Sequence, residues 1–306
     1  MELWVVLAIA AAVLMALGVF FDNYIADVFF KDRLPQSRKI FSGPGYLIAA
    51  IIVAIIFGLQ AISVGNALWL VAAGMLFGVS LIPYYIALSK DESTNVAIVE
   101  QLSPIFYLMW GWWLLHSEVS FLHLVAIAVL MAAPALIVLS SRKRSQGNKI
   151  KMIGLMLIKI TLGTLANTLI VELAPTIDFI TMMFYVMIGR GLVDVALAVK
   201  FKAWRRRFKI VMYRGGFKAW LAIATNFVIW LGHEFVNYSA LIIAPAMAMS
   251  SAITKTLMPI SVFMFGLAFT IIWPSFGREK LDRKTVTVHL IAVVLAVIGI
   301  ILMQTA

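Results

Sequence analysis

The chain lacks cysteine altogether, and only four of its 306 residues are histidine. Because it has no thiol, it can form neither a disulfide framework nor a cysteine-ligated metal site. It also lacks the HExxH, GxSxG and glycine-rich phosphate-binding signatures. We therefore expect no enzymatic activity, no ATP hydrolysis, and no resident metal or cofactor.

Charged residues are also scarce in this sequence. Charged residues make up 13% of the chain, against about 25% in a soluble domain, while hydrophobic residues make up 63%. The apolar runs are continuous rather than alternating, which is typical of membrane-spanning helices and not of a β-barrel. We predict an all-α integral membrane protein with ten transmembrane helices, at residues 3–28, 45–62, 66–88, 94–115, 119–140, 152–172, 176–199, 217–241, 245–272 and 286–304.

The positive charges that are present have a strongly biased distribution. Of 25 lysines and arginines, all but Lys159, Arg190 and Lys255 fall in the loops after odd-numbered spans. Positive residues accumulate on the cytoplasmic side of a membrane, and this bias argues against nucleic acid as a partner. We therefore expect a plasma (inner) membrane protein with both termini outside and cytoplasmic loops at 29–43, 89–93, 141–151, 200–218 and 273–285.

The longest of these basic segments, residues 200–220, reads KFKAWRRRFKIVMYRGGFKAW. Basic residues mixed with tryptophan and phenylalanine beside a membrane favour contact with anionic lipid headgroups. Simple anchoring of the topology is the plainer alternative. The sequence also leaves open whether the chain forms a homodimer.

Short motifs recur in the same order along the two halves of the chain. YIAL at 85–88 matches YSAL at 238–241, and MWG at 109–111 matches MFG at 264–266. HLVAIAVL at 123–130 matches HLIAVVLA at 289–296, and LGVFFDNYI at 17–25 weakly matches LGTLANTLI at 162–170. Since five is an odd number, a second copy of five spans enters the membrane inverted. We predict two inverted five-helix repeats, 1–140 and 152–306, joined by a basic cytoplasmic linker at 141–151.

The stretch ALSKDESTNVAIVEQLSPIFYLMWGWWLLHSEVSFLHLVAIAVLMAAPALIVL at 87–139 carries a family resemblance. Together with ten spans in two inverted repeats, it resembles the EamA-type branch of the drug/metabolite transporter superfamily. The resemblance covers the last three helices of each half well and the first two poorly. It implies the fold and a transport activity, but no particular substrate. Members of that family usually have cytoplasmic termini, whereas the charges here predict the reverse.

Two oppositely charged residues occupy matching places in the repeats. Glu100 lies four residues before Pro104, and Lys255 lies four residues before Pro259, so each proline removes a backbone donor near a charge. An ionisable residue inside the membrane is a functional hypothesis by default. We predict helix breaks at both prolines and a substrate or coupling site at Glu100 and Lys255. The alternative is a structural ion pair.

Other polar residues inside the spans are weaker candidates. Arg190 and Asp194 are spaced i and i+4, which favours an ion pair within one helix. Lys159 lies near enough to the cytoplasmic end of its span to extend its charge to the interface, and a functional role is the alternative. Asp22 matches Asn167 in the weak repeat, so both are predicted to line a cavity. His233 and Glu234 are adjacent in the eighth span, and one of them is a further candidate for the lining of the cavity. We select His233.

Four large aromatic residues are predicted to contribute to the same cavity. Tyr84 and Tyr85 follow Pro83 in the third span, and Trp110 and Trp230 lie deep in theirs. Such side chains can pack against a solute and donate hydrogen bonds to it. Packing between helices is the alternative for each of them.

These features together predict a secondary transporter of small organic solutes, with alternating access around a central cavity. A glutamate and a lysine at one site suit an amino acid or an amine-bearing metabolite, with proton coupling or exchange. Glu100 alone would suit an organic cation, as in a drug exporter. A solute sensor that does not transport and a lipid-modifying membrane enzyme are the remaining alternatives.

Overall fold

The computed structural model describes residues 2–30, 39–88, 99–140, 149–272 and 283–305. These residues are helical almost throughout, and none of them lies in a β-strand. A π-helical segment, Ala26–Phe30, extends the first helix. In chain order the helices are α1 (Leu3–Ile25), α2 (Lys39–Phe57), α3 (Val64–Leu88), α4 (Ser103–Leu114), α5 (Phe121–Ser140), α6 (Lys149–Glu172), α7 (Phe179–Lys200), α8 (Lys202–Ile243), α9 (Met247–Ile272) and α10 (Arg283–Thr305).

The chain is an all-α, multi-pass membrane protein. Within the described residues, 7 helices are long and apolar enough to cross a bilayer: α1, α2, α3, α6, α7, α8 and α9. The apolar stretches in α5 and α10 are shorter, at Phe121–Ala132 and Leu290–Leu302. The tenfold count of crossings therefore stays a prediction. Of the predicted linker, residues 141–148 lie outside the described residues, and 149–151 belong to α6.

The helices pack in a defined set of pairs. α1 packs against α8 and α9, and α6 packs against α3 and α4. The pairs α2 with α7, α4 with α9, and α5 with α10 are also in contact. α3 and α7 approach most closely where a Cβ on Gly189 would lie 2.1 Å from the Val71 carbonyl oxygen. Only glycine fits there, and small residues at such crossings let transmembrane backbones approach each other.

The basic segment at 200–220 is not the loop that the sequence predicts. α8 begins at Lys202, and its axis changes direction at Gly216, where φ is 53° and ψ is −143°. Trp204, Phe208 and Val211 are buried at spacings of four and three residues, as on one face of a helix. Arg205 and Arg206 between them are exposed, whereas Arg207 is half-buried and donates to the Phe30 carbonyl. The segment is therefore an amphipathic helix, which its charge content alone concealed.

The two prolines that were predicted to break helices behave differently. Residues 101–102 form a turn, after which α4 begins with Pro104 in its first turn, where proline is tolerated. α9, by contrast, runs continuously through Pro259. The prediction of a break at Pro259 is therefore wrong in the sense of an interrupted helix.

One end of the bundle is stabilised by an interlocked pair of connections. Asp178 caps α7 by accepting a hydrogen bond from the Thr181 backbone amide at 3.0 Å. The Asp178 backbone amide donates to Gln60 Oε1 at 2.8 Å, and the Gln60 backbone amide donates to Thr181 Oγ1 at 2.8 Å. Partial burial raises the pKa of Asp178, but the hydrogen bonds to its carboxylate outweigh this effect and hold the pKa below its usual value.

Candidate functional site

Glu100 and Lys255 are in contact inside the helix bundle. Lys255 Nζ donates to Glu100 Oε1 at 2.9 Å, although the two residues lie 155 positions apart in the chain. Glu100 comes directly before the turn that precedes α4, and Lys255 lies on α9, so the packing of α4 against α9 brings them together. Glu100 retains 7% of its exposure. The contact therefore joins two opposite charges well away from bulk water.

The backbone at Glu100 is satisfied locally. Ser103 Oγ donates to the Glu100 carbonyl at 2.5 Å. Pro104 has no amide hydrogen, and it would otherwise be the i+4 donor to this same carbonyl. The hydroxyl of Ser103 thus takes over the role of the missing amide, and the chain can turn next to a buried carboxylate.

A third charge completes the cluster. Lys159, on α6, also donates to Glu100 Oε1, so both ammonium groups bind one oxygen. Lys159 therefore does not extend to the interface, and that expectation is wrong. Because α6 packs against α4, a nearby carboxylate is available within the bundle. The ring of Tyr84 lies 5.9 Å from Lys159 Nζ, within the range of a cation–π contact.

The other carboxylate oxygen of Glu100 has a different environment. Glu100 Oε2 is buried and accepts no hydrogen bond from any residue in the described ranges. Lys255 Nζ also lies 3.9 Å from the thioether sulfur of Met15, on α1. We call Glu100, Lys159 and Lys255 the triad. In the triad, Glu100 Oε1 accepts hydrogen bonds from two ammonium groups, while Oε2 accepts none from the described residues.

Arg190 and Asp194 do not pair with each other, contrary to the i, i+4 expectation. Arg190 instead binds Glu234, on α8. Tyr46, on α2, donates to the same carboxylate at 2.9 Å. The Arg190 guanidinium lies 4.4 Å from the ring centroid of Tyr46 and 4.7 Å from that of Phe77. The ion pair therefore lies beside two aromatic rings, with the guanidinium in cation–π range of both.

Asp194 pairs with Lys39, at the start of α2. Ser42 Oγ donates to its second oxygen at 2.7 Å. Tyr85 belongs here rather than to the triad, since its ring lies 5.7 Å from Lys39 Nζ. Both charged side chains are almost completely buried. Arg190 and Asp194 have separate partners because α7 packs against both α2 and α8.

Asn167 is the centre of an uncharged network. It donates from Nδ2 to Tyr107 at 2.6 Å and accepts from Tyr238 at 2.7 Å. Nearby on the same two helices, Trp110 donates to Thr164 Oγ1 at 3.1 Å. α4, which follows Glu100, and α6, which carries Lys159, are therefore joined by polar contacts on one side of the triad.

The remaining predicted site residues lie along α1 and α8. Asp22 accepts a hydrogen bond from Asn226 Nδ2. His233 Nδ1 lies 2.9 Å from the Ala11 carbonyl, which fixes that nitrogen as the donor. Trp230 stacks edge-on against His233, with ring centroids 5.5 Å apart. These three residues hold α1 against α8.

Sequence reasoning missed several residues of these clusters. Lys39 was counted as a loop charge because the second span was predicted to begin at residue 45, whereas α2 begins at Lys39. Tyr46 and Tyr107 lie in apolar runs, where a tyrosine is most simply interpreted as a residue that packs between helices. A serine directly before a proline, as at Ser103, was the one available signal for a backbone cap.

Comparison with known proteins gives a fold and no family. No protein-family profile matches the sequence. No curated protein matches it either. One solved structure, described as "Crystal structure of protein", superposes with a TM-score of 0.73 over 98% of this chain and 98% of that chain. At 12% sequence identity, this likeness shows that the two chains share their overall fold.

Proposed function

We propose that the chain is a secondary transporter of small organic solutes, with the triad as its substrate or coupling site. The observation that carries the proposal is the buried contact between Glu100 and Lys255. These residues occupy the same place in the two copies of the sequence motif. Ionisable groups buried in a membrane bundle mark substrate or ion pathways.

The helix contacts support the inverted repeat on which this proposal depends. If α1–α5 correspond to α6–α10, then exchanging the copies turns the contacts of α1 with α8 and α9 into those of α6 with α3 and α4. Both sets are present. The pairs α2 with α7, α4 with α9 and α5 with α10 each join a helix to its own counterpart. A two-fold axis in the membrane plane accounts for this pattern.

Alternating access follows from such an arrangement. The triad lies where α4 and α9, which are counterparts in the proposed repeat, meet α6. In the empty protein Glu100 and Lys255 satisfy each other. A solute that carries suitable charges takes the place of Lys255 at Glu100, or of Glu100 at Lys255. The two repeats then move around the site. The turn before α4 gives this region a backbone that is already interrupted.

The family and topology are part of the same proposal. The sequence resemblance favours the EamA-type branch of the drug/metabolite transporter superfamily, and the shared fold of a solved structure of similar length is compatible with it. The distribution of positive charge favours a plasma membrane location with both termini outside. The amphipathic part of α8, with its exposed arginines, suits anionic lipid headgroups.

The test is solute uptake into proteoliposomes, with and without a pH gradient. The panel contains amino acids, amines, sugars, organic acids and organic cations. Wild type is compared with Glu100→Gln and Lys255→Met, and with the matched surface variants Glu118→Gln and Lys151→Met. We expect uptake of one solute class by wild type and by both surface variants.

Loss of uptake in Glu100→Gln and Lys255→Met, with both proteins folded, would support the assignment of the site. If Glu100→Gln retains exchange but no longer accumulates solute against a gradient, the carboxylate is the coupling group. Uptake equal to wild type in both variants would make the contact purely structural. Binding of a solute without any flux would favour the sensor.

A further inference from the structure

The triad has an unbalanced charge. One carboxylate, Glu100, faces two ammonium groups, Lys159 and Lys255. Within the described ranges, Glu100 is the only carboxylate that either lysine contacts. The formal charge of the cluster is therefore one positive unit. A pair of Glu100 and Lys255 alone would have been neutral, so Lys159 changes the electrostatic character of the site.

An uncompensated positive charge is costly in this location. All three side chains are largely buried, with relative exposures of 10% for Glu100, 14% for Lys159 and 16% for Lys255. A buried charge is tolerated when it is paired, and it strongly favours any counter-ion that can reach it. Both ammonium groups already share Oε1 of Glu100, so neither has an oxygen to itself.

The triad also has a vacant acceptor. Glu100 Oε2 is buried and, within the part of the chain that the structure describes, has no hydrogen-bond partner. Leaving such an oxygen unpaired costs free energy that a donor group on a ligand would recover. A ligand that suits the whole cluster thus brings one negative charge for the lysines and one O–H or N–H group for Glu100 Oε2.

We infer that the substrate class is a small organic monoanion, a carboxylate with a neighbouring hydroxyl donor. The inference rests on the proposed transport function and deepens it. Binding such an anion brings the cluster to neutrality. A zwitterion such as an amino acid leaves the cluster at one positive unit, and an organic cation raises it to two. Charge balance therefore ranks the hydroxy acid first, the zwitterion second and the cation last.

The experiment compares solutes that differ in charge. Purified protein is tested with glycolate, lactate and gluconate as monoanions, serine as a zwitterion, choline as a cation, and chloride as an inorganic anion. Two measurements are made on each: stabilisation of the detergent-solubilised protein against thermal unfolding, and uptake into proteoliposomes. Wild type is compared with Lys159→Met, Lys159→Arg and Lys151→Met, the last being the same substitution at an exposed position of α6.

We expect wild type to prefer at least one of the hydroxy acids over serine and choline. Lys159→Met should lower the ratio of hydroxy-acid to serine uptake by about 10- to 100-fold, the size of effect that loss of one buried charge partner produces. Lys159→Arg keeps the charge and should keep the preference, and Lys151→Met should behave as wild type. If Lys159→Met does not fold, the ranking in wild type and in Lys159→Arg still decides.

The possible failures are distinguishable. Uptake of serine or choline without any hydroxy acid would overturn the inference and leave transport intact. Stabilisation by a hydroxy acid without uptake would support the ligand class and overturn the transport function. A response to chloride alone would overturn the organic substrate. No response to any solute, in either measurement, would overturn both proposals.

Discussion

The interior of the bundle contains two kinds of charged cluster. In one kind, Arg190 with Glu234 and Lys39 with Asp194, each cation has its own carboxylate. Ser42 donates to the second oxygen of Asp194, and Tyr46 donates to the Glu234 oxygen that Arg190 also binds. In the other kind, the triad, two lysines share one oxygen of Glu100, and its second oxygen has no partner among the residues that the structure describes.

If the proposed function is correct, this difference separates structural charges from functional ones. A pair with one cation for each carboxylate is already neutral and needs no charge from a ligand, and its task is to hold helices in position. A cluster with surplus charge and an unused acceptor is stabilised when a ligand binds. Substitutions in the paired clusters should therefore change stability most, and substitutions in the triad should change solute selectivity most.

The largest loss of stability is expected for Arg190→Met. This change leaves Glu234 buried without its cation, and breaking a buried pair in this way costs about 3–5 kcal/mol. Thermal unfolding in detergent, together with the yield of monodisperse protein, measures the effect. The double variant Arg190→Met/Glu234→Leu removes both charges and should recover most of the loss. If the single and double variants are equally unstable, the pair is not what matters at this position.

A smaller loss is expected for Tyr46→Phe. Its hydroxyl donates to the Glu234 carboxylate, and a hydrogen bond to a charged group contributes about 1.5–3 kcal/mol. Tyr213→Phe is the matched control, because Tyr213 is 91% exposed. Thermal unfolding should separate the two variants clearly. Equal melting temperatures would contradict the view that the paired clusters are structural.

For Lys159→Met we expect a loss of stability of only about 1–2 kcal/mol, because Glu100 keeps Lys255 as its partner. The change in solute selectivity should be the larger effect. The two readouts, melting temperature and uptake ratio, are compared with those of Arg190→Met. A Lys159→Met protein as unstable as Arg190→Met would remove the distinction between the two kinds of cluster.

The smallest effect is expected outside the bundle interior, at the cap of α7. Asp178→Ala removes a side chain that accepts from the Thr181 amide and should cost about 1 kcal/mol near neutral pH. The folded-state pKa of Asp178 lies below its unfolded value, so its contribution is present above the unfolded pKa and declines as pH falls toward the folded pKa. Melting temperatures of the variant and wild type should therefore converge in acid. A gap that does not change with pH would argue against a charged cap.

Repetition within the sequence is what made part of the site predictable. Glu100 and Lys255 stand at matching places in the two predicted copies, and an inverted repeat of the kind predicted would bring such positions together near its axis. Lys159 could not be placed in this way, because its expected behaviour depended on depth alone, whereas its partner lies on another helix. Spacing along α7 suggested that Arg190 pairs with Asp194, but packing against two different helices gave each a separate partner.

The bounds of the spans were predicted from hydropathy. They are wrong where a helix extends beyond its apolar run. α2 begins six residues before the predicted span, at Lys39, whose charge hides a buried position. α8 extends through the basic segment, whose apolar face is visible only when Trp204, Phe208 and Val211 are seen together. In both cases a charged residue next to the bilayer obscured a helix that tertiary packing stabilises.

The most direct test of the central claim measures access to the triad from both sides of the membrane. The chain has no cysteine, so Ser251→Cys introduces a single thiol one turn from Lys255 on the same face of α9. A membrane-impermeant maleimide is applied to right-side-out and inside-out vesicles, with Ser120→Cys as an exposed control. The account predicts labelling of Ser251→Cys from both sides, with protection by a transported hydroxy acid, and labelling of the control from one side. Labelling of Ser251→Cys from one side only, or from neither, would contradict alternating access around the triad.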